Sequence, residues 1–523
     1  MGRSAALLAS IGIVAKLIGA LYRVPLTNIV GAEGMGLYQM VFPLYTVLLA
    51  LCGGGITSAV SRVVAKYTAV GDDRAAFKAF KVALVPVSVV SLAAAVAVAL
   101  LRNVISRVQG NGDAGVAYLA IAPSLLFASV ISVLRGYFQG KSNMLPSGIS
   151  QLIEQTVKLA LGLYLSRVLL RFGVQYAVAG ALIGVSASEL LALAYLFVRF
   201  LIRKRRAKKT FVPVVAPVLE AAADAVVVTD RQLVREVYGF ALPVTLGSLV
   251  LPVTQMIDSV LVINILMHGG EPRNTATALF GLFVGPVGTL INMPTVIMLS
   301  LSVAFLPALT GAVERGECDK AHAYTRDVAK WIMLFIIPVT AVFFLFPERV
   351  CAALYSRGLT PEQLDTAARL LRVQAISAFY TGVLQLGTTM LQGHNKAHKP
   401  VINLVIGACV KVGLTPVLVR FFGIVGAAGA TAACYAVAAV LTLRSAYKCS
   451  PIAADFVKSF VVPMGMTAIS AVAFFFATKL AATGGVPYFW QSVIGAVVFL
   501  VMYAAGVLLC GSIKFKDLKK IKN

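Results

Sequence analysis

The chain is a succession of apolar runs separated by short polar breaks. A helix needs about 20 mainly apolar residues to cross a bilayer. By that measure six spans are expected near residues 5–29, 37–65, 79–101, 115–138, 146–169 and 174–202. Six more follow near 236–267, 276–310, 329–347, 367–392, 400–421 and 424–446, and two last ones near 456–480 and 488–511. The pattern predicts an all-α polytopic membrane protein of about fourteen transmembrane helices: two six-helix repeats plus two C-terminal helices.

A repeated signal supports that grouping. Gln139-Gly140, followed by Lys141 and Pro146, precedes Lys158 by 19 residues, and Gln392-Gly393, followed by Pro400, precedes Lys411 by the same distance. FGVQYAVAGA from Phe172 is echoed by FGIVGAAGA from Phe422. Two membrane halves on one plan, each with a lysine inside an apolar run, are a signature of transporters built from repeats. With six spans each, the halves have the same topology and are related by an axis along the membrane normal. The expected organisation is an N-terminal half over 1–202, a basic cytoplasmic linker over 203–235, a second half over 236–446, two extra spans within 447–511 and a basic tail over 512–523.

Composition narrows the class. Only 13% of the residues are charged and 59% are hydrophobic, against about 25% charged in soluble domains. The net charge of +25 lies mostly in short connections, as the positive-inside rule expects, and points away from a nucleic-acid surface. Arg203–Lys209, the C-terminal lysines Lys514–Lys522 and the other strongly basic loops fall on one side, so both termini are expected in the cytoplasm. The first apolar run, interrupted by Lys16 and Arg23 and without a small-residue cleavage site, reads as a retained span. Seven scattered cysteines form neither a disulfide framework nor a metal motif. His394 and His398 lie four apart in a lysine-rich loop with no further ligand nearby, so no metal or cofactor is expected.

Ionisable groups inside spans are costly and mark candidate sites. Lys16 and Arg23 are seven apart on span one, which puts them on one helix face about two turns apart, suited to a diphosphate. The alternative for Arg23 is snorkelling to the headgroups. Glu154 and Lys158, four apart on span five, are spaced for an intrahelical ion pair. Lys411 has no carboxylate within one turn and needs another partner or a substrate. Glu189 and Asp258 are buried acids that pair with a cation across helices or bind a coupling ion. Arg62 and Arg135 lie near span ends and are read as interfacial. No Walker loop, HExxH or GxSxG in a strand-to-helix context occurs, and no enzyme activity is expected.

The stretch LRGYFQGKSNMLPSGISQLIEQTVKL, from Leu134 to Leu159, resembles the fourth-loop signature of stage V sporulation protein B and its relatives. GAEGMGL from Gly31 and LPALTGAVERG from Leu306 resemble the same family, and the resemblance extends over essentially the whole chain. It implies a fold shared with multidrug (MATE) exporters and the MurJ lipid II flippases. The implied activity is movement of an undecaprenyl-diphosphate-linked glycan to the outer leaflet, with membrane lipids as surroundings and wall-synthesis or sporulation membrane proteins as further partners. It also implies a central cationic cavity, which Lys16 and Arg23 match approximately, and a lipid-tail groove along the last two spans. Family arginines on spans two and eight are missing here, where Tyr45–Val47 and Phe280 stand. Asp258 resembles a sodium-binding acid on span seven, but the span-eleven carboxylate is replaced by Asn403 and Lys411. Competing readings are a polysaccharide-repeat exporter, an antiporter for organic cations, and a non-transporting scaffold for wall-synthesis enzymes.

Overall fold

Hydrocarbon offers the backbone no hydrogen-bond partners, so an apolar chain of this kind can cross it only by bonding to itself, as helix or closed barrel. The computed structural model describes residues 2–209, 229–449 and 457–510, and among them every regular element is helical. Eleven of these helices are long and apolar enough to cross a membrane. The first, Val14–Ala69, contains two of the expected spans. They part at Gly31, whose φ of 68° and ψ of −169° break the helix Gly2–Leu49 where only glycine is unstrained.

Two expected spans are helical but fall outside those eleven. Span five runs as Leu145–Val157, a wide π turn at Lys158–Gly162, and Leu163–Leu169. Span ten is the helix Pro361–Gly393, whose neutral polar positions Gln374, Ser377, Thr381 and Thr389 are buried against protein. A helix surrounded by other helices needs less apolar surface than one facing lipid. The final two spans are Val462–Thr483, preceded by a π turn at Val457–Val461, and Tyr488–Leu509. The central part of the linker, 210–228, and the tail from residue 511 lie outside the described residues.

Tertiary contacts divide the chain into two compact units, Met1–Tyr22 with Leu37–Ser259, and Arg23–Gly36 with Val260–Asn523. In the first unit span four (Ala114–Gly140) packs on spans two, three and six. Phe80, Tyr137 and Phe200 form an aromatic cluster there, with centroids 5.0 to 5.6 Å apart. Leu233, Val237 and Ala241, from the start of the helix Asp230–His268, are buried in the same core. Further along that helix, Gln109 Nε2 donates to Ser259 Oγ at 3.1 Å. In the second unit the helix Ile424–Tyr447 packs on His398–Phe422 and Pro361–Gly393, and the last two spans pack on each other.

The repeated Gln-Gly signal has the same geometry in both units. After Gly140, Ser142 adopts φ 55° and the Asn143 amide donates to the Phe138 carbonyl at 3.0 Å. After Gly393, Asn395 adopts φ 58° and the Lys396 amide donates to the Leu391 carbonyl at 2.8 Å. Both are left-handed helix ends closed by a six-to-one bond. Each glycine also permits a close helix crossing: a Cβ on Gly140 would stand 2.7 Å from the Ser61 carbonyl oxygen, and one on Gly393 would stand 2.5 Å from Leu309 Cδ2. The first obstacle is backbone and cannot move; the second is the end of a flexible side chain. Gly140→Ala should therefore cost about 1–3 kcal/mol and lower the melting temperature of the purified protein, with Gly393→Ala costing clearly less. Equal melting temperatures for the two variants would contradict this packing.

The native cysteines give a second test. Cys318 is exposed at the first position of the helix Cys318–Leu345. Cys351 is buried, and burial, with Glu348 beside it, pushes its thiol up to about 12. A hydrophilic maleimide at pH 7.5 should label Cys318 in permeabilised cells and leave Cys351 unmodified, as read by peptide mass after digestion.

Candidate functional site

Four ionisable side chains expected to be costly in hydrocarbon meet within the first unit. Glu189, on the helix Val174–Lys209, is 4% exposed. Its Oε1 accepts a hydrogen bond of 2.6 Å from Tyr45 Oη on span two, while Oε2 accepts none from the described residues. Glu154 and Lys158, both on span five, are the charged groups acting on Glu189. Glu154 Oε2 lies 2.9 Å from Arg135 Nη2 on span four, and Arg135 Nε donates to Ser150 Oγ at 2.9 Å. Lys158 Nζ sits 5.5 Å from the centre of the Tyr22 ring. The Arg135–Glu154 ion pair and the hydrogen bond from Tyr45 to Glu189 offset part of the several kcal/mol that each isolated ion would cost here.

This arrangement corrects one expectation. The i,i+4 spacing of Glu154 and Lys158 does not produce their ion pair: Glu154 is taken by Arg135, whose fork reaches the carboxylate and Ser150 together. Lys158 keeps a regular α bond back to the Glu154 carbonyl, and its ammonium lies over an aromatic face at the start of the π turn. Arg135, near the end of span four, is a partner inside the cluster. Tyr45 is one of the three residues, Tyr45–Val47, among which the family resemblance implies an arginine, and its hydroxyl is tied to a carboxylate.

The remaining candidates lie elsewhere. Lys16 is exposed and belongs to the first unit, while Arg23, half-buried, belongs to the second, where its charge acts on Tyr355. Lys411 is 7% exposed, and its carbonyl accepts from Thr415 Oγ1 at 2.8 Å. Asn403 donates to Thr442 Oγ1 at 3.2 Å. Asp258 is buried in the first unit. Of the loop signatures, Lys141 is ion-paired with Asp73, Gln392 is exposed, and Gly140 and Gly393 serve helix packing. His394 Nδ1 contacts the Met390 carbonyl at 2.8 Å. The second unit also holds an apolar groove of about 530 Å³ lined by Leu290, Pro294, Leu334, Phe474, Phe499 and Tyr503, with the last two spans forming one wall.

Tyr45 and Gln155, the latter donating to Glu154 Oε1 at 3.2 Å, are members of the cluster that sequence reasoning passed over. A tyrosine or glutamine in a span carries no charge to draw attention. Arg135 did carry that signal, but its nearness to a span end allowed an interfacial reading.

With this geometry in hand, comparison with known proteins places the chain. A family model described as "Polysaccharide biosynthesis protein" matches residues 1–313, and a MatE model matches residues 243–417. The chain is 29% identical over 430 residues to stage V sporulation protein B of Bacillus subtilis (strain 168), covering 81% of this chain and 79% of that protein. It is 24% identical over 439 residues to lipid II flippase MurJ of the same organism, covering 81% and 78%. Among solved structures, lipid II flippase MurJ in an inward closed conformation matches with a TM-score of 0.69 at 15% identity, over 96% of this chain and 98% of that one. An inward-facing multidrug resistance MATE family transporter matches with a TM-score of 0.66 at 15% identity, over 83% and 94%. The fold is thus that of MurJ and MATE transporters, and the resemblance seen in the Leu134–Leu159 stretch is borne out. Because its family model spans more than half its length, the chain belongs to the polysaccharide biosynthesis protein family.

Proposed function

We propose that this protein is a flippase for a lipid-linked glycan precursor, an undecaprenyl-diphosphate-linked unit of the lipid II type, in cell-wall or spore-cortex synthesis. The observation that carries this reading is the set of cations inside apolar spans, above all Lys411, buried at 7% exposure, in a chain related to a lipid II flippase along most of its length. A diphosphate cannot cross about 30 Å of hydrocarbon unescorted, and cations shielded from bulk water attract it strongly. Lys16, Arg23, Lys158 and Lys411 are the residues assigned to meet it, and alternating access of the two repeats carries it across. The apolar groove along the last two spans suits the isoprenoid tail. The location is the cytoplasmic membrane with both termini inside, so Cys318 should resist an impermeant maleimide in intact cells.

The same cations argue against an antiporter for organic cations, which they would repel. A scaffold without transport would not need them at all. In cells depending on this protein alone, precursor reaching the outer leaflet should fall at least about tenfold in Arg23→Ala and Lys411→Ala, with undiminished folded protein. That loss corresponds to about 1.4 kcal/mol. Arg23→Lys should keep part of the activity, because a point charge remains without the bidentate fork. Normal transport in Lys16→Ala, Arg23→Ala and Lys411→Ala would overturn the assignment.

Glu189, Glu154 and Asp258 are the residues assigned to ion coupling or to pairing, and these roles separate by mutation. Arg135→Met or Glu154→Leu alone leaves one partner unpaired and should cost about 3–5 kcal/mol, whereas the double variant should be considerably milder. Glu189→Gln should fold normally. If Glu189 carries a coupling ion, its transport will lose dependence on the proton or sodium gradient collapsed by a matching ionophore. Unchanged gradient dependence would assign Glu189 to structure.

A further inference from the structure

Span six ends in Arg199 and Arg203, one helical turn apart and therefore on one face. With Phe138, Asn143 and Ile202 they line a concave cavity of about 220 Å³ in the first unit. That is room for a phosphodiester and a few waters, at about 30 Å³ per water. Its walls are set by structure already described. Asn143 is held by its 3.0 Å bond to the Phe138 carbonyl in the left-handed turn after span four. Phe200, between the two arginines, is locked into the ring cluster with Phe80 and Tyr137. The cavity is thus a built concavity rather than a gap beside a loose chain end.

Its electrostatics call for an anion. Among the described residues neither guanidinium has a carboxylate within ion-pair distance. Asp73, whose charge acts together with that of Arg203 on Tyr137, is itself ion-paired with Lys141. Two guanidiniums one turn apart match the oxygens of a phosphate, each through paired N–H donors. The surroundings decide where that phosphate comes from. Phe197, Val198, Leu201 and Ile202 on the same helix end are exposed apolar side chains, and in a spanning helix such positions face acyl chains. A pocket with two cations, Ile202 in its wall and exposed apolar side chains around the same helix end fits an anionic phospholipid better than a soluble anion.

We propose that Arg199, Arg203 and Asn143 form a binding site for the phosphodiester headgroup of an anionic phospholipid at the basic end of spans four and six. The site bridges the turn carrying Ser142 to the end of span six. This role is separate from transport of the substrate. Snorkelling alone would let each arginine reach any headgroup, but it would not select one lipid or depend on these two positions more than on other basic residues of the same end.

The test is lipid retention by the full chain released from detergent into the mass spectrometer, after titration with phosphatidylglycerol or phosphatidylcholine. The wild type should retain phosphatidylglycerol in preference to phosphatidylcholine. R199Q/R203Q should weaken that retention roughly 10- to 30-fold, from about 1 kcal/mol per basic residue at a membrane surface. R199K/R203K should fall in between. R74Q/R205Q removes equal charge from exposed positions and should retain lipid as the wild type does. Equal losses in R199Q/R203Q and R74Q/R205Q, or no preference between the two lipids, would overturn the site. Displacement of the lipid by millimolar inorganic phosphate would reassign it to a soluble anion and overturn the lipid assignment.

Discussion

The cost of placing an unpaired charge or polar group in hydrocarbon governs this molecule. A charged side chain near the bilayer centre costs about 2.5–3.5 kcal/mol even by lenient measures, and an unbonded backbone group costs several more. The all-helical architecture answers the second cost. The first is answered where Arg135 pairs with Glu154 and Tyr45 donates to Glu189. A chain under such pressure keeps buried ions only where they are compensated or used. That is why the cluster and Lys411 carry more information than the many basic residues of the loops.

The cluster also illustrates how competition among partners is decided. At one turn's separation Glu154 and Lys158 are within reach of each other, yet exposed pairs of that kind contribute only a few tenths of a kcal/mol. Arg135 offers Glu154 a charge-assisted bond from a neighbouring helix while its Nε engages Ser150. The Lys158 ammonium lies instead over the Tyr22 ring. The cross-helix pair ties spans four and five together, which an intrahelical pair cannot do.

The repeat is expressed at the level of hydrogen bonds. Phe138 to Asn143 and Leu391 to Lys396 close their helix ends in the same way, and a glycine in each allows the preceding span close to its neighbour. Yet the halves are not copies in chemistry. In the first unit the helix widens into a π turn at the span-five lysine, whose ammonium lies over the Tyr22 ring, whereas Lys411 stands within the regular helix His398–Phe422.

Hydropathy determined the all-α membrane class and the number and rough limits of the helices, because lipid-facing surface must be apolar whatever the packing. The duplicated Gln-Gly-to-lysine spacing determined the repeat, because each copy specifies a local turn: the glycine, the left-handed residue two positions on and the following helix are all short-range. Span ten was also legible as apolar, although its buried glutamines and threonines reflect protein neighbours rather than lipid. What only the tertiary structure decided was partnership. Arg135 reaches Glu154, 19 residues away, and Tyr45 reaches Glu189, 144 residues away, because crossing helices bring them together. Lys16 and Arg23, one helix face in sequence, are divided between two compact units because the chain changes packing partner after Tyr22. Spacing along one helix reports which side chains share a face, but a choice among partners from other helices depends on distances that exist only once those helices have packed.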